Sequence, residues 1–544
     1  VAVAAVTLAP MPRSREVSLG ALPPIIQVLD RLDLAGIIDR HCPMRSQPGI
    51  SHGQAICAMI ANRLTAKTPL YKVEEWAREW AVEEMLGVPA EALNDDRLGR
   101  ALEAFAEHSA SIVGSFGATA ITRYGLDTSQ IQWDMTSISV WGVYENPDDG
   151  YARPRHGRAK DGRHDLRQVQ TGLAVLADGA VPVYSVPLDG GAAEVSQVIG
   201  TYDHLLALTG GKPFLLVGDR KLVSFTNLAA MTASPGTRFV APAPASIVPA
   251  ARYQDLDPAT AAVSDYVPAR DAHRLFHQRD VHRVVEGEPT VLRGPGRNDP
   301  PLTVRTVFVH SARTAEAAAR SRGERITKAR EALVTLRRNL GKRNYRTEQA
   351  VADRVGRIRE QYHVGGWLRA HLSTDPDTGA PGLLWHFDEQ AVAASAATDG
   401  WMALLTNLTV AEADATGVLR RYKAQEAVER RHSTFKGPLG VAPLFLKNNK
   451  RIHALVQVIC LALAVYCLIE RQARRAAETR FADGKIPGLR DGRPTRPTGR
   501  LVLETLAGLR LVRAQDGQPA GMPAPTRIQQ LILDLLDADP TKPP

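Results

Sequence analysis

The chain has 544 residues, 44% of them hydrophobic and 23% charged, with only four cysteines. That composition fits a globular protein of three or four domains, at about 150 residues each, and excludes collagen-like, wholly disordered and disulfide-scaffold proteins. Lys and Arg outnumber Asp and Glu by 67 to 58, for a net charge of +9 and a pI of about 9.4, which points to a polyanionic partner, nucleic acid ahead of an anionic membrane.

Residues 1–18 lack the basic stretch that precedes the apolar run of a secretory signal and read as a disordered tail. Residues 19–125 read as a helical N-terminal domain. In it, GALPPIIQVLDRLDLAGIIDRH places Ile26, Leu29, Leu32 and Ile37 at helical spacing, and Ser51 with Gln54 forms a capping box. From residue 126 the period changes. IQWDMTSISVWGVY, VQTGLAVL and VPVYSV predict a three-strand meander with DGAVP as its last turn. A helix over 193–208, the apolar strand FLLVGD, a second helix and the strand TRFVAP complete a β-β-β-α-β-α-β order to residue 242. Residues 243–399 break the pattern and read as an inserted mixed β/α subdomain, with the strand LTVRTVFVH and a long helical region from Thr314 to Tyr362. The α/β core resumes over 400–479, first with the strand DGWMALLTNLT. Helices over 415–436 and 452–479 follow, and a basic tail over 480–544, Gly/Pro/Arg-rich at first and with one last short helical element after it, closes the chain. The apolar run Ala454–Ile469 is 16 residues long, short of the ~18–20 that span a bilayer, and predicts a buried core helix and no membrane partner. Cys42, Cys57, Cys460 and Cys467 form no C-x-x-C pair and read as reduced thiols of a cytoplasmic protein.

Between Arg320 and Arg346 ten basic residues face two acidic ones. A solvated helix face is one reading; a phosphate-contacting helical hairpin, with Arg320, Arg337, Arg338, Lys342 and Arg343 among its contacts, is the sharper one. A second basic stretch, ARPRHGRAKDGRHDLR, follows the first strand of the meander. Asp134 lies within an apolar strand and Asp219 ends another. A buried carboxylate costs several kcal/mol unless paired or metal-bound, so each needs a partner. On a continuous helix over 415–436, Tyr422, Gln425, Glu429 and Lys436 would share one face, beside Arg430 and Arg431. His273, His277 and His282 lack the HExxH pattern and nearby cysteines of a zinc site and read as a basic surface.

Tyr422, Glu429 and Lys436 resemble the Y-(2)-R-(3)-E-(6)-K signature of bacterial insertion-sequence DDE transposases, with Gln425 where the signature has Arg. WDMTS around Asp134 and LLVGDRKLVS around Asp219 are similar to that family's two catalytic aspartate motifs, with Lys221 where Gly is usual. The resemblance implies a ribonuclease-H-like core interrupted between the second Asp and the Glu, so a multidomain α/β fold. It implies Asp134, Asp219 and Glu429 as catalytic ligands of two Mg²⁺ ions, which Mn²⁺ can replace. Tyr422, Gln425, Lys436, Arg430 and Arg431 would contact DNA. The implied activity is strand cleavage and transfer at terminal inverted repeats, by a homodimer holding two ends of double-stranded DNA. An inactive end-binding protein or transposition inhibitor, and a metal-dependent nuclease without strand transfer, are the alternatives.

Overall fold

The computed structural model describes the chain except residues 1–14, 45–48, 146, 158–161, 269–270, 273, 441–443, 445, 514–518 and 541–544. It divides into two compact units. The first comprises Val1–Asp219, Ala230–Thr237 and Ala424–Pro544, the second Arg220–Ala229 and Arg238–Lys423.

In the first unit, apolar β-branched runs form the expected meander. Strands Gln130–Val140, Arg167–Leu176 and Pro182–Leu188 pair antiparallel, and Leu215–Val217 lies parallel to Gln130–Val140 on its other side. The turn between the second and third strands uses Gly179 at φ 71° and Ala180 at φ 51°. Two successive left-handed residues match the twist of a tight hairpin, and Gly at the first avoids half of the steric penalty.

Helices cover this sheet. His52–Thr65 begins at the predicted capping box, in which Ser51 accepts from the Gln54 N–H and the Gln54 side chain accepts from the Ser51 N–H. Asp95–Tyr124 runs for 30 residues, capped by the Asn94 side chain at its start and by left-handed Gly125 at its end. The helix Asn449–Arg480 is 32 residues long, enough to cross a membrane by length and apolarity alone, but 94% of its most apolar window is buried within the protein. It packs on Asp95–Tyr124, on His52–Thr65 and on the strand Pro182–Leu188. The predicted buried core helix is therefore present, and the hydrophobic effect holds it there at roughly 1.5–3 kcal/mol per buried Leu, Ile or Val.

The two ends of the chain differ from the sequence reading. Arg15–Ser18 is a strand paired antiparallel with Arg510–Arg513, so these residues of the expected disordered tail are ordered by a partner almost five hundred positions away. The expected basic tail is folded too. It holds the hairpin Ile486–Arg490 with Arg493–Thr495 and, in place of the one short helical element expected, the two helices Gly499–Leu506 and Arg527–Leu536. The helical N-terminal segment and this C-terminal segment belong to the same compact unit as the meander.

The second unit holds five antiparallel strands in the order Arg238–Pro242, Trp401–Thr406, Leu302–Ser311, His282–Leu292 and Ala262–Val263. His282–Leu292 does not read as a strand in the sequence, because Glu286, Gly287, Glu288 and Pro289 interrupt its alternation; a register shift between Gly287 and Thr290 absorbs them. The expected helical region is two helices, Ala312–Arg338 and Glu348–Gln361, followed by the β-hairpin Leu368–Thr374 with Pro381–Phe387. These share a core of Ala329, Leu333, Leu336, Val351, Val355 and Ile358 against Leu368 and Leu383.

One close approach tests the meander. Gly172 pairs with Met135, and a Cβ added there would lie 2.0 Å from the Trp133 ring. Gly172→Ala should cost about 1–3 kcal/mol by forcing the indole off its position. The check is a lowered urea midpoint with unchanged m-value.

Candidate functional site

Asp134 is half-buried in the strand Gln130–Val140, its Oδ1 accepting from the Met135 N–H at 2.9 Å. The parallel ladder beside it pairs Gln130 with Leu215, Ile131 with Leu216 and Gln132 with Val217. It stops two residues short of each aspartate, so the same register, continued beyond the last pair, would set Asp134 opposite half-buried Asp219, which follows the end of the strand Leu215–Val217.

Glu429 is exposed on the helix Glu426–Lys436, which packs on the strand of Asp134. Val428, Arg431, His432 and Phe435 form its buried stripe, at the i, i+3, i+4, i+7 spacing of one helix face. Glu429 flanks that stripe. His432, one turn further on, brings its Nε2 to 3.4 Å from Asp134 Oδ2. This lies within ion-pairing range but is not aligned as a hydrogen bond, and neither ring nitrogen has a hydrogen-bond partner. On the same face of the strand as Asp134, Gln132 is fully buried with both ends of its amide unpartnered. Sequence reasoning missed His432; its i+3 spacing from Glu429 was the available signal.

Carboxylates are the donors that hard divalent cations select. Among the described residues, however, no three His, Cys, Asp or Glu side chains are gathered closely enough to hold a metal ion. The helix of Glu429 packs on the strand of Asp134, and Asp219 follows the strand paired with it, but the three carboxylates form no ready-made nest.

The expected stripe of Tyr422, Gln425, Glu429 and Lys436 requires one continuous helix. The chain instead breaks at Ala424 and Gln425, between the helices Ala415–Lys423 and Glu426–Lys436. Tyr422 belongs to the second unit and the other three to the first. Gln425 is buried, its Oε1 unpartnered, so it is not a surface contact. Lys436 and Tyr422 are half-buried and Arg430 is exposed.

Arg431 corrects a second expectation. It is buried, with Nε donating to Ala180 O and Nη2 donating to Gly179 O and Glu470 Oε1, each at 2.9 Å. Its charge is committed to the interior, where it clamps the meander turn, and is not offered to DNA. Burial alone would push the Glu470 carboxyl up, but Arg431, Arg474 and the Gly499 N–H hold it below its ordinary 4.5.

In the second unit the basic hairpin is largely solvent-facing. Arg320, Arg337, Arg338, Lys342 and Arg343 are all exposed. Two neighbours are not free: Arg322 is buried against Asp399 through a bidentate pair at 2.7 and 2.6 Å, and Arg325 lies 5.0 Å over the Trp367 ring. The second basic stretch is partly neutralised, with Arg153 on Asp149, Arg155 on Asp189 and Arg163 on Asp165. Lys160 lies outside the described residues. Of the three histidines read as a basic surface, His277 is exposed, His282 is buried in a strand, and His273 lies outside the described residues.

Comparison with known proteins gives one family match, a domain of unknown function (DUF4277), over residues 16–114. No curated protein matches. Among solved structures, a piggyBac transposase synaptic complex with hairpin DNA is 8% identical and covers 91% of this chain and 82% of its own, with a TM-score of 0.38. A Mos1 transposase paired-end complex with the left transposon end is 11% identical over 35% of this chain and 58% of its own, with a TM-score of 0.14. Likeness at these scores decides neither the fold nor the activity of this chain.

The Arg431–Glu470 pair makes a stability prediction. Glu470→Gln leaves a buried guanidinium without its carboxylate and should cost about 3–5 kcal/mol at neutral pH. A carboxyl held below 4.5 in the fold contributes stability that is present above that pH and is lost as pH falls below it. Urea midpoints of wild type and variant should therefore lie furthest apart at neutral pH and approach one another on acidification below 4.5.

Proposed function

We propose that this protein is a cytoplasmic DNA transposase of the insertion-sequence DDE type. It would bind the terminal inverted repeats of its element as a homodimer, cut the strands there and join them to target DNA. The observation that supports this reading is the parallel pairing of the strands that precede Asp134 and Asp219, with the helix of Glu429 packed on the strand of Asp134. This pattern supports a site drawn from distant parts of the chain, with Asp219 just beyond the C-terminal end of its strand, where α/β sheets commonly act on ligands.

Mg²⁺, or Mn²⁺ in its place, is the cation these carboxylates would select. When bound, such an ion activates water or a 3′-hydroxyl and stabilises charge on the phosphate oxygens. The protein's own part would be to present Asp134 from its strand, Asp219 from the segment that follows the neighbouring strand and Glu429 from a packed helix. The exposed cations of the hairpin would hold duplex DNA by its phosphates, independently of sequence.

A second reading, an end-binding protein without catalysis, is favoured by one observation: the Asp134 carboxylate already has His432 within ion-pairing range. Glu429→Gln and Asp134→Asn separate the two. Under the enzyme reading each should lower nicking of a supercoiled plasmid carrying cognate ends by ~100-fold or more in Mg²⁺, while end binding without metal stays within about threefold. A wild-type protein that binds ends yet nicks nothing in Mg²⁺ or Mn²⁺ establishes the binder.

The hairpin has its own test. Replacing Arg320, Arg337, Arg338, Lys342 and Arg343 with Gln should weaken binding to cognate and random duplexes alike. It should also flatten the slope of log K against log salt by up to ~4, at about 0.9 for each phosphate no longer neutralised. An unchanged slope returns the hairpin to an ordinary solvated surface.

A further inference from the structure

The first unit contains a groove of about 710 Å³ whose walls carry seven arginines and three carboxylates. The cations come from three separate parts of the chain: Arg430 and Arg431 from the helix after the chain break, Arg471, Arg474 and Arg475 from the long helix, and Arg496 and Arg500 from the C-terminal segment. Gathering like charges costs energy unless anions offset them.

The offset here is incomplete and layered. At the bottom, Arg431 and Arg471 are buried and paired. Arg431 holds the meander turn and Glu470, and Arg471 holds Asp178 at 2.8 and 2.7 Å. The same two carboxylates are then shared with the outer layer, Glu470 with Arg474 at 3.0 Å and Asp178 with Arg475 at 3.3 Å. Among the described residues, Arg496 and Arg500 pair with the exposed carboxylates of Glu478 and Glu504, and Arg430 has no carboxylate partner. A guanidinium carries five N–H donors, so the outer arginines keep donors for another anion. Burial, with Arg496, Arg431 and Arg430 close by, pulls Arg474 below its ordinary value although Glu470 opposes this; an added anion would relieve that crowding.

We propose that this groove binds the phosphodiester backbone of duplex DNA, as a contact surface separate from the basic hairpin. The ligand is large and not a small anion, because the side chains of Arg475, Arg496 and Arg500 are 58%, 65% and 67% exposed. They line an open rim along which a backbone can run, and do not enclose a pocket. The proposal rests on the reading of DNA as the partner and adds a place where it is held. Arg430 adjoins Glu429, so a backbone in the groove passes the helix that carries the third candidate carboxylate.

The test uses the full chain with Arg475, Arg496 and Arg500 all changed to Gln, and a companion with all three changed to Lys. Binding of a random-sequence duplex is followed by fluorescence anisotropy across a salt series. Thermal unfolding of each variant is recorded alongside, and exposed side chains on this rim should leave it unchanged. The Gln variant should bind at least ~10-fold more weakly, with a salt slope flatter by about 2–3; the Lys variant should recover the slope, since Lys neutralises phosphate as a point charge. If wild type binds duplex and the Gln variant matches it in affinity and slope, the groove is no DNA contact, while DNA remains the partner. If wild type binds no duplex at all, both readings fail together. If inorganic phosphate at matched ionic strength displaces the duplex from wild type but not from the Gln variant, the groove is a site for a single phosphate and the backbone assignment is overturned. A Gln variant that unfolds early is replaced by Arg496→Gln with Arg500→Gln, for which a slope unchanged from wild type likewise rules out the groove as a DNA contact.

Discussion

The long helix Asn449–Arg480 can be buried almost throughout because each polar side chain it takes inward meets a fixed partner. Gln457 exchanges hydrogen bonds with Ser185, donating to its carbonyl at 3.0 Å and accepting from its hydroxyl at 2.5 Å. Glu470 takes Arg431, Arg474 and the Gly499 N–H. Arg471 takes Asp178 and the carbonyls of Tyr124 and Gly125. An unpaired buried charge would cost several kcal/mol, so the helix cannot slide or rotate without breaking these pairs. They tie it to the third meander strand, to the turn before that strand, to the end of Asp95–Tyr124 and to the C-terminal segment. The apolar surface supplies most of the driving force, and these few polar contacts select one register for it.

This constraint reaches the candidate site through Arg431. The guanidinium that neutralises Glu470 also holds Gly179 and Ala180, and Arg431 sits one position before His432 and two after Glu429. Docking of the helix Glu426–Lys436 on the meander is thereby coupled to the interior of the unit. Glu429 is carried on a helix whose inner stripe is committed, leaving its own side chain beside the packed face.

The sequence made the apolar architecture legible. The capping box at Ser51, the β-β-β-α-β-α-β order and the buried long helix all follow from periodicity and capping chemistry, which act over a few residues. What it concealed depends on distant partners. Arg15–Ser18 is a strand only because Arg510–Arg513 supplies its hydrogen bonds. Arg431 looks like a surface cation within a run of basic residues until Glu470, 39 positions later, is known to stand against it. The break at Ala424 and Gln425 has no Gly or Pro to announce it, so helical spacing alone continued one face across two helices. Asp134 and Asp219 could be picked out because a carboxylate in an apolar strand demands a reason; which helix face would meet them could not, since that is decided by packing.

Placement of the positive charge follows the same logic. Two basic surfaces lie in different compact units: the exposed hairpin in the second and the arginine groove in the first. They are built differently. The hairpin's cations stand above an apolar core and their long side chains retain most of their freedom, so they suit loose, sequence-independent attraction. In the groove, Arg474 and Arg475 are anchored by Glu470 and Asp178, which the inner arginines already hold, and this restricts the rotamers of those two before any ligand arrives. Pre-ordering removes about 0.5–1.5 kcal/mol of entropic cost for each rotamer-rich side chain immobilised on binding. Under the proposed reading of DNA as the ligand, Arg474 and Arg475 should therefore hold a phosphate in a more defined position than the hairpin's cations do. Under the proposed function, that difference suits the groove, whose wall includes the helix carrying Glu429, to fixing where a strand lies, and the hairpin to bringing the duplex to the protein.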